Sequence, residues 1–194
     1  MKPLIDPPLA EVIRADTHSI DSAAKSLLCF YEPEGGFFNY LRGTKVVKTA
    51  YRGFHHLDSL LYALPSDQKR VGFRPNQDVI TRAAPLAFGR VTRVFDLPPR
   101  KFQFGRDRRA SYRVPFFFIE AGVVKLYYLQ PRKGPYLTID HVEGLATVFK
   151  RYLLDLEFFG ESTDIEFVDV GAVNAGSARE TKIFRLRDVN LWSE

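Results

Sequence analysis

Tyr112-Arg-Val-Pro-Phe-Phe-Phe-Ile-Glu-Ala-Gly-Val-Val-Lys-Leu-Tyr-Tyr-Leu-Gln130 is the stretch that decides the fold. It holds two runs rich in aromatic and β-branched residues, 114–120 and 123–130, with only Ala121-Gly122 between them. That composition and spacing predict an antiparallel hairpin, and Gly122 supplies the positive φ that a tight turn demands. Pro115 has no N–H to give to a ladder, so the first strand is an edge or starts beside it. Large apolar groups sit on both faces: Phe116 and Phe118 against Phe117 and Ile119, then Tyr127 and Leu129 against Leu126 and Tyr128. Such a sheet is covered on both sides, or it shows an aromatic face to a partner.

Beyond residue 135 the period changes from two to 3.6. Val142, Leu145, Ala146, Phe149, Tyr152, Leu153 and Leu156 share one helical face, which predicts a helix over about 138–158. Thr138 or Asp140 is its expected N-cap, with Asp140 and Glu143 as a capping pair and Gly160 just past its end. Upstream, residues 1–18 carry three prolines and read as a loosely attached leader. Helices are expected over 19–30 and 53–64, ended by 32–36 and Pro65, while 43–52 fits either strand or helix. Residues 66–89, with Pro75 and Pro85, read as a loop with at most one turn near Asp78. Strand-like alternation recurs at 91–95, 101–104, 164–170 and 182–187. The order predicts an α+β fold: a mostly antiparallel sheet of about five to six strands, N-terminal helices and the long helix packed on the sheet, with 19–194 as a single domain.

Composition narrows the class. The chain has 194 residues, no run of 18 apolar residues and no N-terminal apolar segment of signal-peptide type. One cysteine, Cys29, rules out an intrachain disulfide and fits a reducing, cytoplasmic setting, with its thiol expected in the core. The net charge of +5 is uneven: residues 42–113 hold sixteen cations and five acids, whereas 1–41 and 114–194 are each net acidic. Eighteen of the 28 cations are arginine, whose planar fork suits phosphate or carboxylate. The block either pairs with the acidic last third of the chain or meets an anionic partner.

A meander of 101–104, 112–120 and 123–130 would place the turns 105–110 and 131–135 at one end of the sheet, beside the start of the long helix. Arg106, Arg108 and Arg109 would then meet Arg132 and Lys133 at a positive helix pole, with Arg100, Lys101 and Arg113 close by. Phe102, Phe104, Tyr112, Tyr127, Tyr128 and Tyr136 interleave with these charges, as in base-stacking surfaces. The sequence therefore points to a polyanion-binding domain, nucleic acid first, with the arginines on phosphates and Tyr112 or Tyr136 stacking on a base or sugar. An alternative is a protein-interaction or homo-oligomer module using the aromatic face of 114–130.

Catalytic patterns are sparse. Hairpin, helix and strand in that order resemble the core of PD-(D/E)xK nucleases, whose chemistry needs an acid and an E-x-K or Q-x-K sharing a metal. Glu120 is the nearest acid, with Asp96 and Asp107 as substitutes, and Gln130 to Lys133 is the nearest partner. At about 3.4 Å per residue, Glu120 and Gln130 stand roughly 23–24 Å apart in a tight hairpin, too far to share an ion. His55 and His56 point about 100° apart on a helix and do not form a metal pair, and His141 reads as a surface or capping residue. Glu166 and Asp169 are expected on a solvated strand face. No cofactor motif is present.

Overall fold

The computed structural model describes residues 5–15, 19–32, 39–64, 72–104, 106–134, 136–172 and 177–193. Residues 33–36 of the expected break 32–36, the expected stop at Pro65, Gly105, Pro135 and the thiol of Cys29 lie outside them.

Among the described residues, six helices and two sheets make up an α+β fold. The helices are α1 (Leu9–Arg14), α2 (Ile20–Tyr31), α3 (Leu41–Tyr51), α4 (Leu57–Tyr62), α5 (Phe73–Ala83) and α6 (Ile139–Phe149). The main sheet has the order β1 (Arg93–Phe95), β4 (Phe116–Glu120), β5 (Val123–Gln130), β6 (Thr163–Asp169), β7 (Lys182–Arg185). Only β5 and β6 run parallel, joined by α6 as the crossover. A separate hairpin, β2 (Arg100–Phe104) with β3 (Arg108–Tyr112), forms the second sheet.

The expected hairpin forms as β4–β5, with Glu120 opposite Val123, and β4 starts directly after Pro115. Ala121 (φ +49°) and Gly122 (φ +79°) both take left-handed backbone, the requirement of a two-residue turn whose twist matches the strands. Both faces of the sheet are covered. Phe116, Phe118, Tyr127 and Leu129 pack with Val46, Val47, Ala50 and Tyr51 of α3 and with Val79 and Ile80 of α5. Leu126, Ile165 and Phe167 pack on the opposite side with Val142, Leu145 and Phe149 of α6 and with Leu9 of α1. The aromatic face expected for a protein partner is thus spent on two cores, and β4 and β5 are interior strands with no free edge.

Four further expectations change. The segment 73–83 is a helix, not a loop, because Pro75 falls in the first turn, where a missing N–H is harmless, and Asn76, Val79, Ile80 and Ala83 present one buried face. The meander does not form, since 113–115 carry the chain from the small sheet to the main one. Residues 5–15 are not a loose leader: Ser111 N–H donates to Pro7 O at 2.8 Å, and Leu9 is buried between β3 and α6. The long helix is capped by Thr138 with His141, not by Asp140 with Glu143, and it passes through a π-helical stretch, Lys150–Leu154, before a last short turn, Asp155–Glu157.

One buried contact sets where α3 lies. Asn76 Nδ2 donates to Asn39 O and Gly72 O, while its Oδ1 accepts from Gly43 N at 2.6 Å. A Cβ on Gly43 would stand 2.9 Å from that oxygen, so only glycine lets the two helices approach this closely.

Replacing Ala121 by Asn should relieve the strained turn, which costs an L-alanine about 1 kcal/mol, and raise the melting midpoint by about 2–4 °C; an unchanged midpoint would mean the turn adopts another form. Asn76→Ala should lower stability by about 2–3 kcal/mol in urea titrations, because three partners lose their bond at once.

Candidate functional site

The outer side of α3 is unlike its buried side. Leu41, Thr44, Lys45, Lys48, Thr49 and Arg52 recur at steps of three, one, three, one and three, one continuous helical stripe. They form one wall of a recess of about 490 Å³. Asp96, Arg113 and Pro115 make the facing wall, and Tyr40 closes the end. Strand register brings that wall together: Phe95 is opposite Phe117, so β1 ends where β4 begins, at the end of the sheet away from the Ala121–Gly122 turn. The recess sits at the mouth of the sheet, under a helix that the Asn76–Gly43 contact holds in place.

Four cationic side chains face one carboxylate here. Lys48 donates to Asp96, and Arg52 Nη2 lies 3.8 Å from the other carboxylate oxygen. That bond from Lys48, opposed by slight desolvation and reinforced by the charges of Lys48, Arg52 and Arg113, keeps the Asp96 carboxyl below its usual range. The Lys48 side chain is only 12% exposed, whereas that of Asp96 is 79% exposed, so the lysine stem is largely covered while its counter-ion faces water.

The residues expected to form the anion site are spread over several places. Arg113 lines this recess. Arg106, Arg108 and Arg109 are exposed on the β2–β3 hairpin, and Lys133 is exposed after β5. Arg100 bonds Glu157 at 2.6 Å, Lys101 pairs with Asp6 at 2.7 Å, and Arg132 bonds Glu11 at 2.5 Å. The N-terminal segment thus answers charge in both regions, Asp6 at Lys101 on β2 and Glu11 at Arg132 in the turn 131–135. Tyr112 is 7% exposed with its ring against Phe149, so core packing takes up its face. Tyr136 donates to Glu180 and has Lys182 Nζ 3.7 Å above its ring. Lys45, Lys48 and Arg52 escaped the sequence reading because 43–52 fitted strand as well as helix, and only the helix places them on one side.

A second charged cluster lies at the other end of the sheet. Glu166, expected on a solvated face, is 1% exposed on the interior strand β6. Arg90 answers it from Nη1 and Nη2 and also forks onto Glu120 at 2.7 and 2.8 Å. Tyr51 donates to Glu166 at 2.5 Å, Lys125 donates to Glu120 at 2.7 Å, and the Arg90 guanidinium lies over the rings of Tyr51 and Phe118. Burial, together with the neighbouring Tyr127 and Glu166, pushes the Tyr51 hydroxyl well above its usual range. Asp169, likewise buried, accepts from Leu137 N and Gly171 N, and desolvation raises its carboxyl. These are closed networks in which each carboxylate has its donors.

The nuclease pairing is not assembled: Glu120 is at the turn end of β4, Gln130 at the far end of β5. Among the described residues no group of three or more His, Cys, Asp or Glu could hold a metal ion. No helix of these residues is long and apolar enough to cross a membrane. Compared with known proteins, the chain matches no family model, no curated sequence and no solved structure.

The Glu120 carboxyl is held down to about 2 from an ordinary 4.5, by the Arg90 bond first and by Lys125, against the opposing effect of burial. The folded state thus favours its charged form: the stabilisation is full above the ordinary value and drains away as pH falls from about 4.5 to about 2. Melting midpoints should decline across that window, and less steeply in Glu120→Gln. A Glu120→Gln variant with the native acid slope would assign the loss to another group.

Proposed function

We propose that this chain binds a polyanion, nucleic acid first, with the α3 recess as the anchoring point. The observation that carries the reading is the set Lys45, Lys48, Arg52 and Arg113 gathered around one mostly exposed carboxylate. A net positive concavity of this kind concentrates field lines and attracts phosphate. Arginine at two of the four positions suits a phosphodiester, to which it can donate two parallel bonds.

The β2–β3 hairpin leads into the recess along the chain. Its last residue, Tyr112, directly precedes Arg113, and Arg109 is four residues back, at most about 14 Å of extended chain. Arg106, Arg108 and Arg109 would hold the backbone beyond the recess. Arg100, Lys101 and Arg132 contribute less to this reading, since Glu157, Asp6 and Glu11 already answer their charge. A folded domain with phosphate contacts and few base contacts is expected to bind with little sequence preference.

Binding of a labelled oligonucleotide, followed by anisotropy, should weaken steeply as salt rises from about 50 to about 200 mM. Arg113→Gln should lower the slope of log K against log salt by about 0.7–0.9, the share of one phosphate contact. Arg113→Glu with Lys45→Glu should abolish binding without moving the melting midpoint, because both residues are exposed. Affinity that is indifferent to salt, or unchanged by the double reversal, would refute the reading.

A further inference from the structure

A recess and an open surface select different ligands. Lys45 and Arg113 are exposed, and any anionic surface, a duplex included, can meet them. The Lys48 side chain is 12% exposed and its ammonium bonds Asp96, so a group that takes the place of that carboxylate meets Lys48 within the recess rather than on the open surface. The volume of about 490 Å³ is that of a small-molecule pocket. That volume suits a group of nucleotide size better than the body of a duplex. The lining is mixed: cations along the helix, and Leu41 and Pro115 as apolar surface, while the Thr44 and Thr49 hydroxyls donate to the helix's own carbonyls at Tyr40 and Lys45. Lys45, Lys48 and Arg52 climb the helix by about 4.5 and then about 6 Å, a file of charge that can follow one strand.

Resting on the polyanion reading above, we propose that the recess is a single-strand site: it takes one nucleotide of an unpaired strand, whose phosphate replaces the Asp96 carboxylate on Lys48. Asp96 is the group free to yield. Its short side chain is 79% exposed, its second contact with Arg52 is a loose 3.8 Å, and it hangs on the irregular segment between β1 and β2. The incoming phosphate gains Lys48, Arg52 and Arg113 together. The sugar and base rest on Leu41 and Pro115, which read no base edge and so leave the site indifferent to sequence.

The experiment compares a labelled oligothymidylate with a duplex of equal length on the full chain, and uses thymidine monophosphate as competitor. The strand should bind at least about tenfold tighter than the duplex, and thymidine monophosphate should displace it. Lys48→Met, which keeps the apolar stem, should weaken the strand about tenfold and the duplex less than about twofold, whereas Asp96→Asn should tighten the strand. If thymidine monophosphate fails to compete, or Lys48→Met weakens both partners equally, the recess claim is overturned while polyanion binding through Arg113 and Lys45 still stands. If neither nucleic acid binds, both readings fall. Should Lys48→Met not fold, competition on the native chain and the sign of the Asp96→Asn effect decide.

Discussion

Two neighbouring strands that point the same way cannot be joined by a turn, and the pairing of β5 with β6 over 124–130 and 163–169 imposes this on the chain. A long connection must cross over the sheet, and α6 is that connection. Its packing makes one face of the sheet apolar. The other face is apolar too, because β4 and β5 carry Phe116, Phe118 and Tyr127 there, and an apolar face in water needs a cover. The helices before the sheet supply it, so the position of α3 and of the recess beneath it follow from the need to cover that face.

The same burial explains the two charged regions. An acid on an interior strand loses its water, and Glu166 is answered there by Tyr51 of α3 and by Arg90, which stands in the chain just before β1. Removing Arg90 would strip the buried Glu166 of its charged partner, while Glu120 would keep Lys125; breaking such a buried pair costs about 3–5 kcal/mol. At the opposite end the balance is reversed, with four cations around Asp96. The basic middle of the chain therefore divides: Arg90, Arg100 and Lys101 are answered from within, and the α3 stripe is answered only in part.

How much of this the sequence discloses depends on the range of the interactions involved. The β4–β5 turn, the Thr138 cap and the α6 stripe rest on residues within a few positions of each other, and all are legible. The α5 helix was hidden by reading Pro75 as a breaker when it occupies the first turn. The convergence of turns 105–110 and 131–135 requires strands adjacent in sequence to be adjacent in space, whereas the chain enters a different sheet after Pro115. The recess was out of reach because its walls come from 40–52 and from 96–115, and nothing local says that they face one another. Glu166 reads as solvated because nothing near it in sequence announces Arg90, seventy-six positions away.

The π-helical stretch Lys150–Leu154 shows how one extra residue per turn rewrites a pattern. A strict 3.6 period puts Tyr152 and Leu156 with Leu153 on the buried side; instead Leu153 and Leu154 are both fully buried, and Tyr152 and Leu156 are 50% and 69% exposed. A wide turn of this kind is geometrically an α-helix with one residue inserted. The helix thus behaves as two rods sharing an axis but not a phase. The first is keyed to the sheet through Leu145 and Phe149, and the second is rotated so that Tyr152 meets Phe102 at 4.8 Å. The crossover that closes the large sheet also serves as the back rest of the small one, and the phase slip is what lets a single rod fit both.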